Sequence, residues 1–130
     1  ASEMLERFDV PHEVHVMSAH RTPEKVAELA SNARDDGYGV IICGAGMAAH
    51  LAGAVSAHTT LPVIGVPLSG GVNGGIDALL STVQMPRGIP VATVAVDGSA
   101  NAGVLAVEIL SLSNPDLVAQ LKIFRDEGAR

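Results

Sequence analysis

Short apolar, β-branched runs alternate with longer stretches of helical spacing along all 130 residues of this chain. Val40-Ile41-Ile42-Cys43, Leu61-Pro62-Val63-Ile64-Gly65-Val66 and Val91-Ala92-Thr93-Val94-Ala95-Val96 have the length and composition of buried strands, and each is followed by a glycine-containing loop and a helix-compatible segment. Residues 12–17 alternate more loosely, with Val14 and Val16 on one face, and predict a further strand. In residues 24–36 the apolar positions Val26, Ala27, Leu29, Ala30 and Ala33 recur at helical spacing. Further helices are predicted over 47–58, 75–83, 100–112 and 115–127. Residues 2–8 read as the interior of a helix, with Met4, Leu5 and Phe8 on one side and no strand ahead of it. The expectation is a single domain over residues 1–130 that starts after its natural beginning. Strand and helix in alternation imply right-handed crossovers and a parallel sheet covered on both faces, an α/β fold.

Composition narrows the class. Apolar residues make up 48% of the chain, yet there is no Trp, one Tyr and two Phe, so Val, Ile, Leu and Ala must build the core. Such cores suit parallel strands under small-residue helices. A net charge of −6 argues against nucleic acid or an anionic membrane surface as partner, and favours small-molecule chemistry. The single Cys43 excludes an intrachain disulfide framework and leaves no cluster with metal-ligand spacing, which fits a reducing cytoplasm. No apolar run reaches the roughly 18 residues of a membrane span.

Chemistry-bearing residues gather where predicted strands end. Ser18-Ala19-His20-Arg21-Thr22-Pro23 sets an imidazole beside a guanidinium at the carboxyl end of the first predicted strand, the edge where open parallel sheets bind ligands. Gly44-Ala45-Gly46-Met47-Ala48-Ala49-His50 leaves a buried strand and enters a helix, with His50 expected in its first turn. Its small residues serve either a tight turn or a cradle in which backbone N–H groups meet a carboxylate or phosphate. The four glycines of residues 67–77 suggest a mobile or closely approached loop, a possible lid. Gln84-Met85-Pro86-Arg87-Gly88-Ile89-Pro90 is a stiffened crossover or a plain connector. His12, His15 and His58 read as ordinary surface or satisfied histidines. Cys43, within an apolar strand, reads as core, and Asp77 as a partner of a helix dipole.

Three of these stretches, S-A-H-R-T-P at 18–23, G-A-G-x-A-A-H-L at 44–51 and Q-M-P-x-G-I-P-V at 84–91, resemble in order and separation the class I N5-carboxyaminoimidazole ribonucleotide mutases of purine biosynthesis. The likeness continues through Asn101-Ala102 into the Leu-rich helix that follows. It implies a flavodoxin-like three-layer sandwich assembled as a homo-octamer, with active sites between subunits and the final helix packed on a neighbour. It implies transfer of a carboxyl group from the exocyclic N5 to C4 of the imidazole ring, without metal or organic cofactor. Carried over by motif, His20 is the acid and base, Arg21 meets the 5′-phosphate, and Ser18 and Ala19 line the substrate near the ribose. Gly44, Ala45, Gly46, His50 and Leu51 surround the migrating carboxyl group, with His50 a second catalytic candidate. The family's opening strand and its Gly-Ser-x-Ser-Asp loop have no counterpart in this sequence. Met47 and Ala52 stand where the class I pattern usually has Gly and Pro.

The residue types fit that chemistry. A carbamate loses CO2 once its nitrogen is protonated, and histidine as a residue type exchanges protons near neutral pH. The same imidazole, once neutral, can take the proton from C4. A small dry pocket of Gly, Ala and Leu would retain CO2. Two other readings remain: a direct CO2-dependent carboxylase of the same fold, and a non-catalytic phosphate-binding module.

Overall fold

The computed structural model describes residues 1–129. In chain order the elements are α1 (Ser2–Arg7), α2 (Pro23–Asn32), β1 (Ile41–Gly46), α3 (Leu51–His58), β2 (Val63–Leu68), α4 (Ile76–Val83), β3 (Ala92–Thr93), α5 (Ser99–Ser111) and α6 (Pro115–Asp126). β1, β2 and β3 form a parallel sheet in that order, with Ile41 opposite Val63 and Ile64 opposite Ala92.

Alternation along β2 divides the core. Ile64 and Val66 face one apolar cluster with Leu5, Phe8, Ala106, Val107, Leu117 and Phe124, contributed by α1, α5 and α6. Val63 faces the other way with Cys43, Val26, Ala30, Ala52 and Val55, under α2 and α3. Period-two alternation along the buried β2 thus gives the three-layer, flavodoxin-like sandwich that the family resemblance implies. Gly65 lies on the α3/α4 face, where a Cβ would meet Thr82 Cγ2 and, at 2.9 Å, Val91 Cγ1. The missing side chain is what lets α4 sit close to the sheet.

Four expectations are corrected. Residues 12–17 form no strand: the segment joins no ladder, and Val14 and Val16 are 72% and 99% exposed. Alternation makes a strand only where a partner takes its backbone groups, and among the described residues none pairs there. The third strand is two residues long instead of six, because after Val94 the chain turns on Asp97, whose φ is 58°. β2 runs on through Pro67 to Leu68. Proline is tolerated there because its nitrogen and carbonyl face the β3 side after β3 has ended, so no ladder bond is lost. Finally, the second predicted helix starts at Leu51, four residues late, because Met47 (φ 56°) and Ala49 (φ 24°) are left-handed.

α6 starts at a side-chain cap, Asn114 Oδ1 accepting from the Asp116 amide at 3.1 Å with Pro115 next in the chain. It buries Leu117 and Phe124 within its own chain, Phe124 meeting Phe8 edge-on at 5.3 Å, and leaves Val118 and Ile123 exposed. Among the described residues no helix is long and apolar enough to cross a membrane.

Candidate active site

The loop ahead of α2 is knitted by two hydroxyls. Ser18 Oγ accepts from the amides of His20 (3.3 Å) and Arg21 (3.2 Å). Thr22 Oγ1 accepts from the Ser18 amide at 3.0 Å and donates to the Ser18 carbonyl at 3.1 Å. These bonds close the chain into a tight turn that lifts Ala19, His20 and Arg21 off the start of the helix. Thr22 was not among the residues singled out from sequence, although a Thr directly before Pro at a helix start is a recognisable clasp.

The second loop starts later than the sequence suggests. Gly44, Ala45 and Gly46 are still in β1, opposite Val66, Pro67 and Leu68. A Cβ at Gly44 or Gly46 would make only ordinary contacts, at 3.6 Å or more, and neither has a positive φ. Contacts within this chain therefore do not require glycine at either position. The turn after Gly46 is closed by the Ala49 amide on the Gly46 carbonyl at 3.1 Å. His50 is the cap residue of α3 rather than part of its first turn, and no side chain caps the first amides of that helix. Two left-handed non-glycine residues in three positions are backbone strain of the kind that collects at functional sites.

These two loops meet. His20 Nε2 lies 2.7 Å from His50 Nδ1, the rings at 89° with centroids 4.9 Å apart, and both side chains are exposed. One nitrogen donates and the other accepts, so two fully protonated rings cannot hold this contact. The pair shares one hydrogen, and at least one ring is neutral while they touch. Leu51, the first residue of α3, is half-buried beside it, and the Arg21 side chain is exposed.

The glycine-rich loop between β2 and α4 is fastened rather than free. Asp97 Oδ1 accepts from the Ser69 amide at 2.9 Å, and Asp77 Oδ2 accepts from the Val72 amide at 3.0 Å. Bonds from the Ser69 hydroxyl and amide hold the Asp97 carboxyl below the usual carboxylate range. Asp77 also accepts from the Ala78 amide at 2.9 Å, as its place at a helix start predicts. The crossover of residues 84–90 is anchored on α3: Ser56 Oγ donates to the Pro90 carbonyl at 2.8 Å, and Met85 Sδ lies 3.2 Å from where a Cβ on Gly53 would be. Sequence reasoning did not single out Asp97, though Asp97-Gly98 carries a turn signal.

The remaining candidates lie elsewhere. Burial pushes the Cys43 thiol up to about 12, which keeps it protonated and unreactive at neutral pH. His58 lines a surface groove of about 500 Å³ with Arg34 and Thr60, at the opposite ends of α2 and α3 from the imidazole pair. His15 pairs with Glu13 at 3.1 Å, and Glu13 also accepts from the Tyr38 hydroxyl at 2.5 Å. Among the described residues no three His, Cys, Asp or Glu side chains converge as a metal-binding set.

The whole chain, residues 1–130, matches the AIR carboxylase family model. It is 52% identical to N5-carboxyaminoimidazole ribonucleotide mutase of Pyrococcus abyssi, over 100% of this chain and 75% of that protein. The mutase of Aquifex aeolicus is 57% identical over 93% of this chain and 72% of its own length. The chloroplastic phosphoribosylaminoimidazole carboxylase of Vigna aconitifolia is 54% identical over 98% of this chain, which spans only 23% of that protein. Among solved structures, Treponema denticola PurE superposes with a TM-score of 0.85 at 26% identity, covering 98% of this chain and 80% of that one.

Proposed function

The chain belongs to the AIR carboxylase family, and we propose that it acts as the mutase of purine biosynthesis that converts N5-carboxyaminoimidazole ribonucleotide to its 4-carboxy isomer. The observation that carries the residue assignment is the 2.7 Å contact between His20 and His50 at the carboxyl edge of the sheet. Support also comes from relatives named as this mutase at 52–57% identity.

In this reading His20 gives its proton to the carbamate nitrogen. The N–C bond then breaks, leaving the free amine and CO2. The electron-rich ring attacks CO2 through C4, forming the new C–C bond, and His20, now neutral, takes the C4 proton. No proton is gained or lost over the cycle, and the ring needs no added electron sink. His50 holds the hydrogen between the two rings and orients His20. Arg21 binds the 5′-phosphate as a fixed charge. Ser18, whose oxygen already accepts two amides, keeps its hydroxyl hydrogen for the ribose, with Ala19 beside it. Gly44, Ala45, Gly46 and Leu51 wall the space in which CO2 is retained.

The same reading includes a homo-octamer with sites between subunits, and a cytoplasmic location. Two features support the assembly: the imidazole pair is open to solvent in a single chain, and Val72, Ile76, Leu80 and Val83 lie exposed along the α4 region. Neither metal nor organic cofactor is needed, and no nucleic acid partner is implied at a net charge of −6.

Purified protein is to be mixed with N5-carboxyaminoimidazole ribonucleotide without added bicarbonate, and separately with aminoimidazole ribonucleotide plus bicarbonate. Conversion of the first supports the mutase. Conversion of the second alone assigns the direct carboxylase, the activity named for the plant relative. Turnover of neither overturns the enzyme reading in favour of a phosphate-binding module.

A further inference from the structure

β2 is bonded on one side to β1 as far as Leu68, which pairs with Gly46. On the other side its ladder with β3 ends at Gly65 opposite Thr93, and the Val94 amide adds one more bond, to the Gly65 carbonyl at 3.1 Å. A continued ladder would put Val96 opposite Leu68. Instead the chain bulges by one residue, the Gly98 amide closing on the Ala95 carbonyl at 2.9 Å, and Asp97 takes that place.

Asp97 then reproduces the bonding of a parallel partner. In a parallel ladder a residue donates its amide to the carbonyl before its opposite number and accepts, through its own carbonyl, from the amide after it. The Asp97 amide donates to the Pro67 carbonyl at 2.9 Å, and the Ser69 amide donates to Asp97 at 2.9 Å. The two bonds flank Leu68 as a strand would, but the acceptor is the side-chain carboxylate. With φ at 58° the backbone carbonyl of Asp97 is turned to another donor, the Ser99 amide at 2.9 Å. Leu68 is therefore held on both sides, by Gly46 and by Asp97.

Gly46 is the root of the turn that carries His50. A Cβ on Gly46 would lie 3.6 Å from the Leu68 carbonyl oxygen and 4.0 Å from that of Ser69, so the turn rests on the segment that Asp97 pins. Farther along the loop, a Cβ at Gly75 would lie 2.9 Å from Val96 Cγ1 and 3.1 Å from Ser69 Cα, so the loop returns onto the same Asp97-containing stretch.

We propose that Asp97 is a positioning residue for the reaction: its carboxylate replaces the strand carbonyl missing opposite Leu68 and so fixes the Gly46-to-His50 turn against His20. It touches neither imidazole and acts through Ser69, Leu68 and Gly46. The turnover part of this inference rests on the mutase reading; the structural part does not.

The test compares Asp97→Gly, which removes the carboxylate while tolerating the left-handed φ, with Asp97→Asn, which keeps an oxygen at Oδ1 and also tolerates it. Three quantities are read: native-state hydrogen exchange of the Ser69 amide, the 15N signals of the His20 and His50 rings, and kcat and KM with the mutase substrate. D97G is expected to speed Ser69 exchange by about tenfold or more, shift both ring signals, and lower kcat by about tenfold with KM within about threefold. D97N is expected to stay within about threefold of the parent in all three. Faster Ser69 exchange with unchanged ring signals overturns the proposal, as does equal loss of kcat in both variants or unaltered Ser69 exchange in D97G. If the parent protein turns over no substrate, the mutase reading fails by itself, and the exchange and ring signals still decide whether Asp97 sets the imidazole pair.

Discussion

His20 Nε2 and His50 Nδ1 stand 2.7 Å apart although 30 positions separate them in the chain. One ring is held by a serine–threonine turn ahead of α2, the other by a left-handed turn ahead of α3. Replacing His20 by Asn keeps most of the shape and removes the proton carrier, so turnover should fall by about 10²–10⁴-fold while ligand affinity changes only a few-fold. His50→Asn should lower turnover less, because His20 keeps its own ring and loses only the partner that orients it. Steady-state kinetics with calorimetric binding checks both. Near-normal turnover of the His20 variant would remove it from the mechanism.

Met47 is 68% exposed and left-handed, with φ at 56°. A non-glycine residue there carries about 1–2 kcal/mol of steric cost, partly offset by the extra entropy that glycine gives the unfolded chain. Met47→Gly should therefore stabilise the protein by up to about 1 kcal/mol, read as a higher midpoint in urea at unchanged slope. A loss of stability would mean that the thioether makes contacts which outweigh the backbone cost.

Gly65 is the close-packing point of α4 on the sheet. A methyl there would press on Thr82, which is buried and tied to the Ala78 carbonyl at 2.8 Å, and on Val91 Cγ1. Gly65→Ala should destabilise by about 1–3 kcal/mol, the usual range for overpacking a dense interior. Adding Thr82→Ser, which deletes the blocking methyl, should recover part of that loss in a double-mutant cycle.

Tyr38, the single tyrosine, gives an unobstructed phenolate signal because the chain has no tryptophan. Its hydrogen bond to Glu13 raises its pKa above 10.0, and the Tyr38 hydroxyl followed by His15 lowers that of Glu13 below 4.5. The tyrosine's contribution to stability is fully present below its unfolded value and is lost as pH rises through the folded one. The carboxylate's contribution is present above its unfolded value and is lost as pH falls through the folded one. An ultraviolet titration should place the Tyr38 midpoint above 10.0, and Glu13→Gln should bring it down. A midpoint indifferent to that substitution would show that the bond does not persist in solution.

Element types were readable from local periodicity, because a helix or buried strand imposes its own repeat on the residues that form it. The motifs carrying His20 and His50 were open to reading as well, although the strand expected ahead of His20 does not form and Gly44, Ala45 and Gly46 belong to β1 and not to the turn after it. Pairing across space decided the rest. Residues 12–17 alternate like a strand and form none, Pro67 sits inside β2, and Asp97 takes a strand's place opposite Leu68. Each depends on which backbone groups find partners many residues away, and a one-dimensional pattern carries no record of that. The contact between the two imidazoles belongs to the same kind: sequence supplied both rings, and the packing of α2 and α3 side by side against β1 brought them within one hydrogen bond.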